Sequence, residues 1–288
     1  MSTKKNNTNE THSYFMRLAL LQAQKSIGNT KENPSVGCII VKDNTIIGAG
    51  STGFNGRPHA EINAIKKSKI NIANSILFTT LEPCSHYGKT PPCVNSIIKK
   101  KVKKVIFSIL DPDIRTFKKS SIILKNKKID VKNKILLNET KNFYKSYIIS
   151  KSKKLPFVTA KIATSKDFYT KNTKNKWITN RSSRGRVHLI RSSHDAIITS
   201  SKTIKNDNSK LTCRINGLEK TSPSRFILDK NLTISLNSYI LKNSNKFKTT
   251  IFYSKGTNKK LKKLSNMKIK LIKLPLLEKS NFDLKQVL

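Results

Sequence analysis

Two consecutive α/β domains are the fold this sequence predicts, and three observations carry the prediction. The chain has 288 residues, enough for two domains that each bury a core. Short apolar runs alternate along its length with segments of helical spacing. The order of elements also differs between the halves. A β-β-α-β-α-β order in the first predicts a mixed sheet covered by helices, and strands alternating with helices in the second predict a parallel sheet.

Taken in order, the polar stretch Met1 to Ser13 reads as a frayed tail. Tyr14 to Ile27 has helical spacing at Phe15, Leu18, Ala19, Gln22 and Ala23, with Gly28 as the residue that ends the helix. Val36–Val41 and Thr45–Ala49 form a hairpin through Asp43-Asn44, and His59 to Ser68 is a helix directly after Pro58. Ile76–Thr80 is a buried strand leading to Pro83-Cys84. Cys93 to Lys100 is a helix whose start tolerates Pro91-Pro92. Val105–Leu110 and Ile129–Val131 are strands, and Leu136 to about Ser150 is helical. Lys151 to Lys154 then reads as a linker, so the expected domains are 1–150 and 155–288. The second half predicts a strand at Phe157–Ala163, a helix at Ser182–Ser192 and a strand at Ala196–Thr199. Further strands follow at Arg225–Leu228, Thr250–Tyr253 and Lys268–Lys273, and Phe282 opens a final helix. The halves show no internal repeat.

Composition narrows the function classes. A net charge of +42 from 58 basic and 16 acidic residues raises nucleic-acid binding. The basic residues are almost all lysines scattered from Lys4 to Lys285, without the interleaved aromatic residues of a single-strand binding surface. The expectation is therefore no specific nucleic-acid partner. No run approaches the roughly 20 apolar residues of a membrane span, and no apolar signal core opens the chain, so no membrane association and a cytoplasmic location are expected. Four cysteines do not make a disulfide framework. Cys38 and Cys213 lie in apolar runs and read as reduced, buried thiols.

The other two cysteines carry the chemistry. Pro58-His59-Ala60-Glu61 and Glu82-Pro83-Cys84, with Cys93 after a further eight residues, supply an imidazole, two thiols and a carboxylate. His59, Cys84 and Cys93 make three ligands for a tetrahedral Zn²⁺ and leave a fourth position for water, the pattern of a catalytic site. Residues two apart on a helix point roughly 200° from each other. His59 and Glu61 therefore converge on one ion only if it sits off the helix N-terminus, where the first turn wraps around it. Cys93, also at a helix start, gains from the positive end of the helix dipole, which favours the thiolate. Glu61 is the proton carrier of the zinc-deaminase signature, a carboxylate that is not itself a ligand. The alternatives are a structural zinc knot, with His86 as the fourth ligand, or a zinc-stabilised binding module without turnover.

The stretch Cys84-Ser85-His86-Tyr87-Gly88-Lys89-Thr90-Pro91-Pro92-Cys93, with Asn33-Pro34-Ser35-Val36-Gly37 and His59-Ala60-Glu61, strongly resembles the bifunctional riboflavin-biosynthesis deaminase/reductase family. Deaminases of nucleosides and nucleic acids usually carry Pro-Cys-x-x-Cys, so the long loop between Cys84 and Cys93 is the discriminating feature. The resemblance implies a cytidine-deaminase-like α/β/α sandwich followed by a dihydrofolate-reductase-like α/β domain. It implies zinc and NADPH as cofactors, a small phosphorylated pyrimidine as substrate, and a homo-oligomer. By it, Asn33 reads the pyrimidine edge and His86 and Lys89 contact substrate, Lys89 suiting the phosphate. Lys161 to Asp167, Trp177-Ile178-Thr179, the helix ending at Arg191, Thr203 to Asp207 and Leu211 to Arg214 resemble the reductase half more loosely. The resemblance places Thr164, Trp177, Thr203 and Asp207 at NADPH, and Arg191, Leu211 and Arg214 at substrate.

Three departures from the family pattern concern the second half. Phe168 stands where the family carries glycine, and Asn175 stands where it carries serine. The chain also stops at Leu288 without the family's Gly-rich turn on the cofactor phosphates, since Gly217 and Gly256 are isolated. The expectation is a complete deaminase domain and a reductase domain short at its C-terminal side. A deaminase acting alone and a nucleic-acid deaminase are the enzymatic alternatives.

Overall fold

Side chains that alternate along β1 (Gly37–Lys42) sort the first half into two layers of core, because successive residues of a strand face opposite sides of the sheet. Ile39 and Val41 join Phe78 and Ile106 under Phe15, Met16 and Ala19 of α1 (Ser2–Gln24). Cys38 and Ile40 join Leu77, Val105 and Phe107 on the other side. There they meet α2 (Ala60–Lys67), α3 (Cys93–Lys99) and α4 (Lys119–Asn126) through Ala60, Ala64, Val94, Ile97 and Leu124. The sheet adds β2 (Thr45–Ser51), β3 (Ile76–Leu81), β4 (Lys104–Ile109) and β5 (Asp130–Lys132) in the order β2-β1-β3-β4-β5. β1 is antiparallel to β2 and β3, while β3, β4 and β5 are parallel. This is an α/β/α sandwich on a mixed sheet, as expected. Asp43 and Asn44 both take positive φ, the backbone that tight hairpins prefer.

The computed structural model describes residues 2–170, 177–277 and 281–288. The chain divides into two units, Met1–Val158 and Thr159–Leu288. Several expectations need correction in the first. Residues 2–13 are helical and belong to α1, where His12 is buried with its ring 5.7 Å from that of Phe78. Leu136 to about Ser150 is helical as expected, but as two helices. Leu136 and Tyr144 flank α5 (Leu137–Phe143), and α6 (Lys145–Lys153) continues through most of the supposed linker until Lys154 turns left-handed. The helix α4 carried no strong apolar spacing and was not anticipated.

In the second unit α7 (Arg181–Ser192), β6 (Ala196–Ser200), α8 (Ser201–Asp207) and β7 (Ser224–Leu228) come first. They are followed by α9 (Tyr239–Lys242), β8 (Thr249–Tyr253), α10 (Asn258–Asn266) and β9 (Lys270–Lys273). The four strands form a parallel sheet in chain order, as alternation with helices predicts. Its core gathers Ile204, Ile227, Ile240, Leu241, Ile251 and Leu264. Arg225 is fully buried beneath it, with its guanidinium on the carbonyl oxygens of Ile240, Asn243 and Phe247 and on Thr249 Oγ1. Burial brings that guanidinium down to about 10, so it stays charged at neutral pH.

Phe157–Ala163 is not a strand: the segment has no regular secondary structure and is mostly exposed, and a strand requires a neighbour to exchange backbone hydrogen bonds. Phe282 does not open a helix. It pairs with Leu276 in a short bridge between β10 (Leu276–Leu277) and β11 (Asn281–Phe282), and α11 (Leu284–Val287) begins two residues later. Phe168 takes φ +65, so a bulky ring occupies the left-handed backbone that favours glycine. Asn175 lies outside the described residues.

Two features of the first unit yield measurable consequences. A Cβ on Gly50 would stand 2.4 Å from both Ala60 O and Ala64 N, so glycine is what lets α2 lie directly against β2. Gly50→Ala should destabilise the unit by about 2–3 kcal/mol through overpacking of backbone on backbone, read as a lower urea midpoint; an unchanged midpoint contradicts this packing. Asp111 is buried, accepts from Asp113 N and Tyr147 Oη at 2.9 Å, and is pushed up to about 6 chiefly by burial. A carboxyl raised in the folded state weakens folding as pH rises from about 4 through about 6, and the loss is complete above that window. Asp111→Asn keeps an acceptor oxygen and should gain about 1–3 kcal/mol at pH 7.5 relative to pH 4.5, compared with the parent chain in urea titrations. Equal stability differences at the two pH values would show that Asp111 is not desolvated.

Candidate active site

The site lies where β3 ends and two helices begin. His59 caps α2 in an extended conformation, so its ring leaves the helix axis while Glu61 stays in the first turn. β3 delivers Glu82, Pro83 and Cys84, and Cys93 is the first residue of α3 behind Pro92. His59 Nδ1 sits 3.4 Å from Cys84 Sγ and 3.3 Å from Cys93 Sγ. The backbone N–H of Cys93 donates to Cys84 Sγ at 3.2 Å, and Val94 N to Cys84 O at 3.3 Å. The ligand atoms of His59, Cys84 and Cys93 all lie within 4.8 Å of one another, the only such group of three among the described residues. Glu61 is buried, with Oε2 accepting from Cys93 Sγ at 3.5 Å. The expected convergence off the helix N-terminus is what the geometry has.

The donor set fits zinc. Bonds of about 2.0 Å to nitrogen and about 2.3 Å to sulfur at a tetrahedral angle put the two atoms about 3.5 Å apart, close to the spacings here. Charge supports the fit as well. Cys84 is held down to about 4 by hydrogen bonds from Cys93 and His59, against the effect of burial. Cys93 is driven up by the neighbouring Cys84 sulfur, by burial and by Glu61. Without a cation the pocket therefore tolerates one thiolate, and a divalent ion is what lets both ionise. Glu61 is raised to about 7, first by burial.

Around this centre, Asn33 is half-buried and donates from Nδ2 to Gly56 O at 3.4 Å. Its loop is fixed by Val36 N donating to Thr52 Oγ1 at 2.8 Å. Buried Tyr144 donates to Ser35 O at 2.9 Å and contacts Thr80 Oγ1 at 2.6 Å, which in turn accepts from Gly37 N at 3.1 Å. Gly56 takes φ +84, and a Cβ there would overlap Asn33 Nδ2. His86 does not join the ligand group; its Nδ1 pairs with Thr116 Oγ1 at 3.0 Å. The reading of His86 as a fourth ligand is thereby corrected. Lys89 is exposed on the loop between the cysteines.

Sequence reasoning missed three supports. Glu82, buried, accepts from Ser120 Oγ at 2.6 Å, Lys118 N at 3.1 Å and Asp111 N at 3.3 Å, tying the 111–118 loop and the start of α4 to the end of β3. Thr116 on that loop holds His86. Arg57 reaches Thr90 Oγ1 at 2.6 Å and lies 3.3 Å from His59 Nε2. Glu82 was visible in the motif but has no chemistry of its own, and the others become partners only through folding.

In the second unit the structure gathers some of the predicted residues. Arg191 Nη1 donates to Thr212 O at 3.4 Å, and Arg214 N to His188 Nδ1 at 3.3 Å. These bonds bind the Leu211–Arg214 loop to α7. Burial first, and then Arg214, lowers the Arg191 guanidinium, whose Nε is buried without a hydrogen-bond partner. Thr203 lies in the first turn of α8, its N–H donating to the Ser200 cap at 3.4 Å, and Asp207 ends that helix. α8 follows the carboxyl end of β6, where parallel sheets bind ligands, a placement that fits a nucleotide cofactor. Thr164 is exposed on the segment before α7, and the ring of Trp177 sits under Arg184 at 4.5 Å.

Comparison with known proteins agrees with this geometry. Residues 9–109 match the cytidine and deoxycytidylate deaminase zinc-binding region, and residues 156–288 match the RibD C-terminal domain. The riboflavin biosynthesis protein RibD of Bacillus amyloliquefaciens is 35% identical over 264 residues, 91% of this chain and 71% of that one. RibD of Aquifex aeolicus is 32% identical over 276 residues, 95% and 75% of the two chains. Among solved structures, Acinetobacter baumannii RibD matches with a TM-score of 0.82 at 31% identity, covering 94% of this chain and 76% of that one. The diaminohydroxyphosphoribosylaminopyrimidine deaminase/5-amino-6-(5-phosphoribosylamino)uracil reductase of Thermotoga maritima also has a TM-score of 0.82, at 30% identity, covering 92% and 74%. The chain belongs to the RibD family of bifunctional riboflavin-biosynthesis deaminase/reductases.

Proposed function

We propose that the chain carries out two consecutive steps of riboflavin synthesis. The first unit hydrolyses the 2-amino group of 2,5-diamino-6-(5-phosphoribosylamino)pyrimidin-4(3H)-one, consuming water and releasing ammonia. The second reduces the ribosyl group to ribityl. The observation that carries the reading is the buried Glu61 carboxylate beside an imidazole and two thiols at zinc spacing.

His59, Cys84 and Cys93 hold the zinc ion, which when bound supplies Lewis acidity that makes water nucleophilic near neutral pH. Glu61 takes a proton from the attacking water and passes protons to the ring nitrogen and the departing amine. Its burial beside Cys93 holds it at the ligand group, where a carboxylate can both accept and release protons. Asn33, on a loop fastened from two sides, reads the pyrimidine edge, and His86 and Lys89 face the substrate from the loop between the cysteines. In the second unit NADPH supplies hydride when bound, near Thr164, Trp177, Thr203 and Asp207. Arg191, Leu211 and Arg214 position the substrate, the two guanidinium groups suiting its phosphate.

The substrate is thus a small phosphorylated pyrimidine, with no specific nucleic acid as partner. A cytoplasmic homo-oligomer is the assembly the family resemblance implies. No helix among the described residues is long and apolar enough to cross a membrane.

Glu61→Gln tests the first step. Ammonia release from the diaminopyrimidine phosphate should fall by at least about 100-fold, while zinc per chain is unchanged. Mass spectrometry of the products, with and without NADPH, separates deamination from reduction in the same sample. Ammonia release at the parent rate in Glu61→Gln contradicts the assignment.

A further inference from the structure

Arginine is rare in the first unit of this lysine-rich chain: Arg17, Arg57 and Arg115 are the three in residues 1–158. Arg17 pairs with Glu139 at 3.4 Å and Arg115 with Asp113 at 2.5 Å. Arg57 has no carboxylate partner among the described residues. It is half-buried at the mouth of the zinc site, and one of its amino groups is spent on Thr90 Oγ1 at 2.6 Å. That bond anchors the guanidinium to the loop between the cysteines. The second amino group faces Gly88, standing 3.8 Å from where a Cβ on that glycine would be, and His86 Nε2 stands 4.0 Å from the same point. Two nitrogen groups therefore lie near one glycine, the residue before Lys89 in the chain.

The orientation of His59 sets how far this corner lies from the chemistry. Its Nδ1 faces both thiols and its Nε2 faces Arg57, so the guanidinium sits on the opposite side of the imidazole from the sulfurs. A group recognised there is set back from the reacting carbon by at least the width of a ring. That separation suits a phosphate carried on a ribose rather than the pyrimidine edge. An uncompensated, partly desolvated guanidinium with a free edge is matched to phosphate in both charge and fork geometry.

We propose that Arg57 is a specificity-determining residue of the deaminase, binding the substrate phosphate at a corner it shares with His86 and Lys89. The inference rests on the deaminase reading and adds to it the residue that selects the phosphorylated substrate. Thr90 holds the guanidinium in place, and the second amino group of Arg57 and His86 Nε2 both lie near Gly88.

The test compares the phosphorylated diaminopyrimidine with its dephosphorylated ribosyl analogue in the parent chain, Arg57→Gln and Arg57→Lys, with zinc per chain measured in each. Arg57→Gln should raise KM for the phosphorylated substrate by about 10- to 100-fold, as loss of a charged hydrogen bond does, with kcat and zinc content retained. The preference of the parent chain for the phosphorylated substrate over the analogue should shrink by the same factor in Arg57→Gln, and Arg57→Lys should recover part of that preference. Equal losses on both substrates, no loss on either, or departure of zinc from Arg57→Gln would overturn the assignment. Calorimetry with ribose 5-phosphate supplies a readout independent of turnover. Weaker binding by Arg57→Gln supports the phosphate corner even if the parent chain releases no ammonia, a result that would count against the deaminase reading alone. Unchanged ribose 5-phosphate binding overturns the role of Arg57.

Discussion

Everything at the first site follows from a crowding of acidic groups away from water. Buried Cys93 and Glu61 crowd against half-buried Cys84 and His59, and the two thiols and the carboxylate cannot all ionise together. The pocket answers by splitting the cysteines, one thiolate favoured and the other suppressed. A divalent cation removes the conflict, because it compensates both sulfurs and leaves the carboxylate as the one group still free to exchange a proton. The folded chain is thus arranged around a charge that the metal supplies.

Holding that arrangement requires backbone precision from elements far apart in sequence. α2 can bring His59 and Glu61 to the end of β3 only because Gly50 offers no side chain between helix and strand. Glu82, two residues before Cys84, converts the end of β3 into an anchor for the 111–118 loop and the start of α4. Tyr144 and Thr80 then fasten the Asn33 loop to the sheet by a continuous run of hydrogen bonds. Each is a buried polar group with its partners supplied, the condition under which such groups add order instead of cost.

Much of the first unit was legible in the sequence, because its signals are local. The short apolar run at Val36–Val41, the Asp43-Asn44 turn and the proline-bounded helix starts each constrain the backbone where they occur. The zinc ligands were legible for a chemical reason: few residue types bind the metal, and their spacing is characteristic. The N-terminal extension of α1 was not, since its polar surface resembles a tail until His12 is seen packed beside Phe78. The segment Phe157–Ala163 shows the opposite error, for its apolar content fits a strand while the backbone partner that makes a strand is not a property of the segment. Arg57 and Thr116 illustrate a third kind of gap, as their roles depend on contacts with Thr90 and His86 that spacing does not encode.

The central claim is that one imidazole nitrogen and two sulfurs bind a single zinc ion with a position left for water. X-ray absorption at the zinc edge on the purified full chain measures this directly. The account predicts one zinc per chain, two sulfur neighbours at about 2.3 Å and two nitrogen or oxygen neighbours at about 2.0 Å. A four-sulfur shell, a shell without sulfur, or protein that is folded and free of zinc after growth in zinc-containing medium would contradict it.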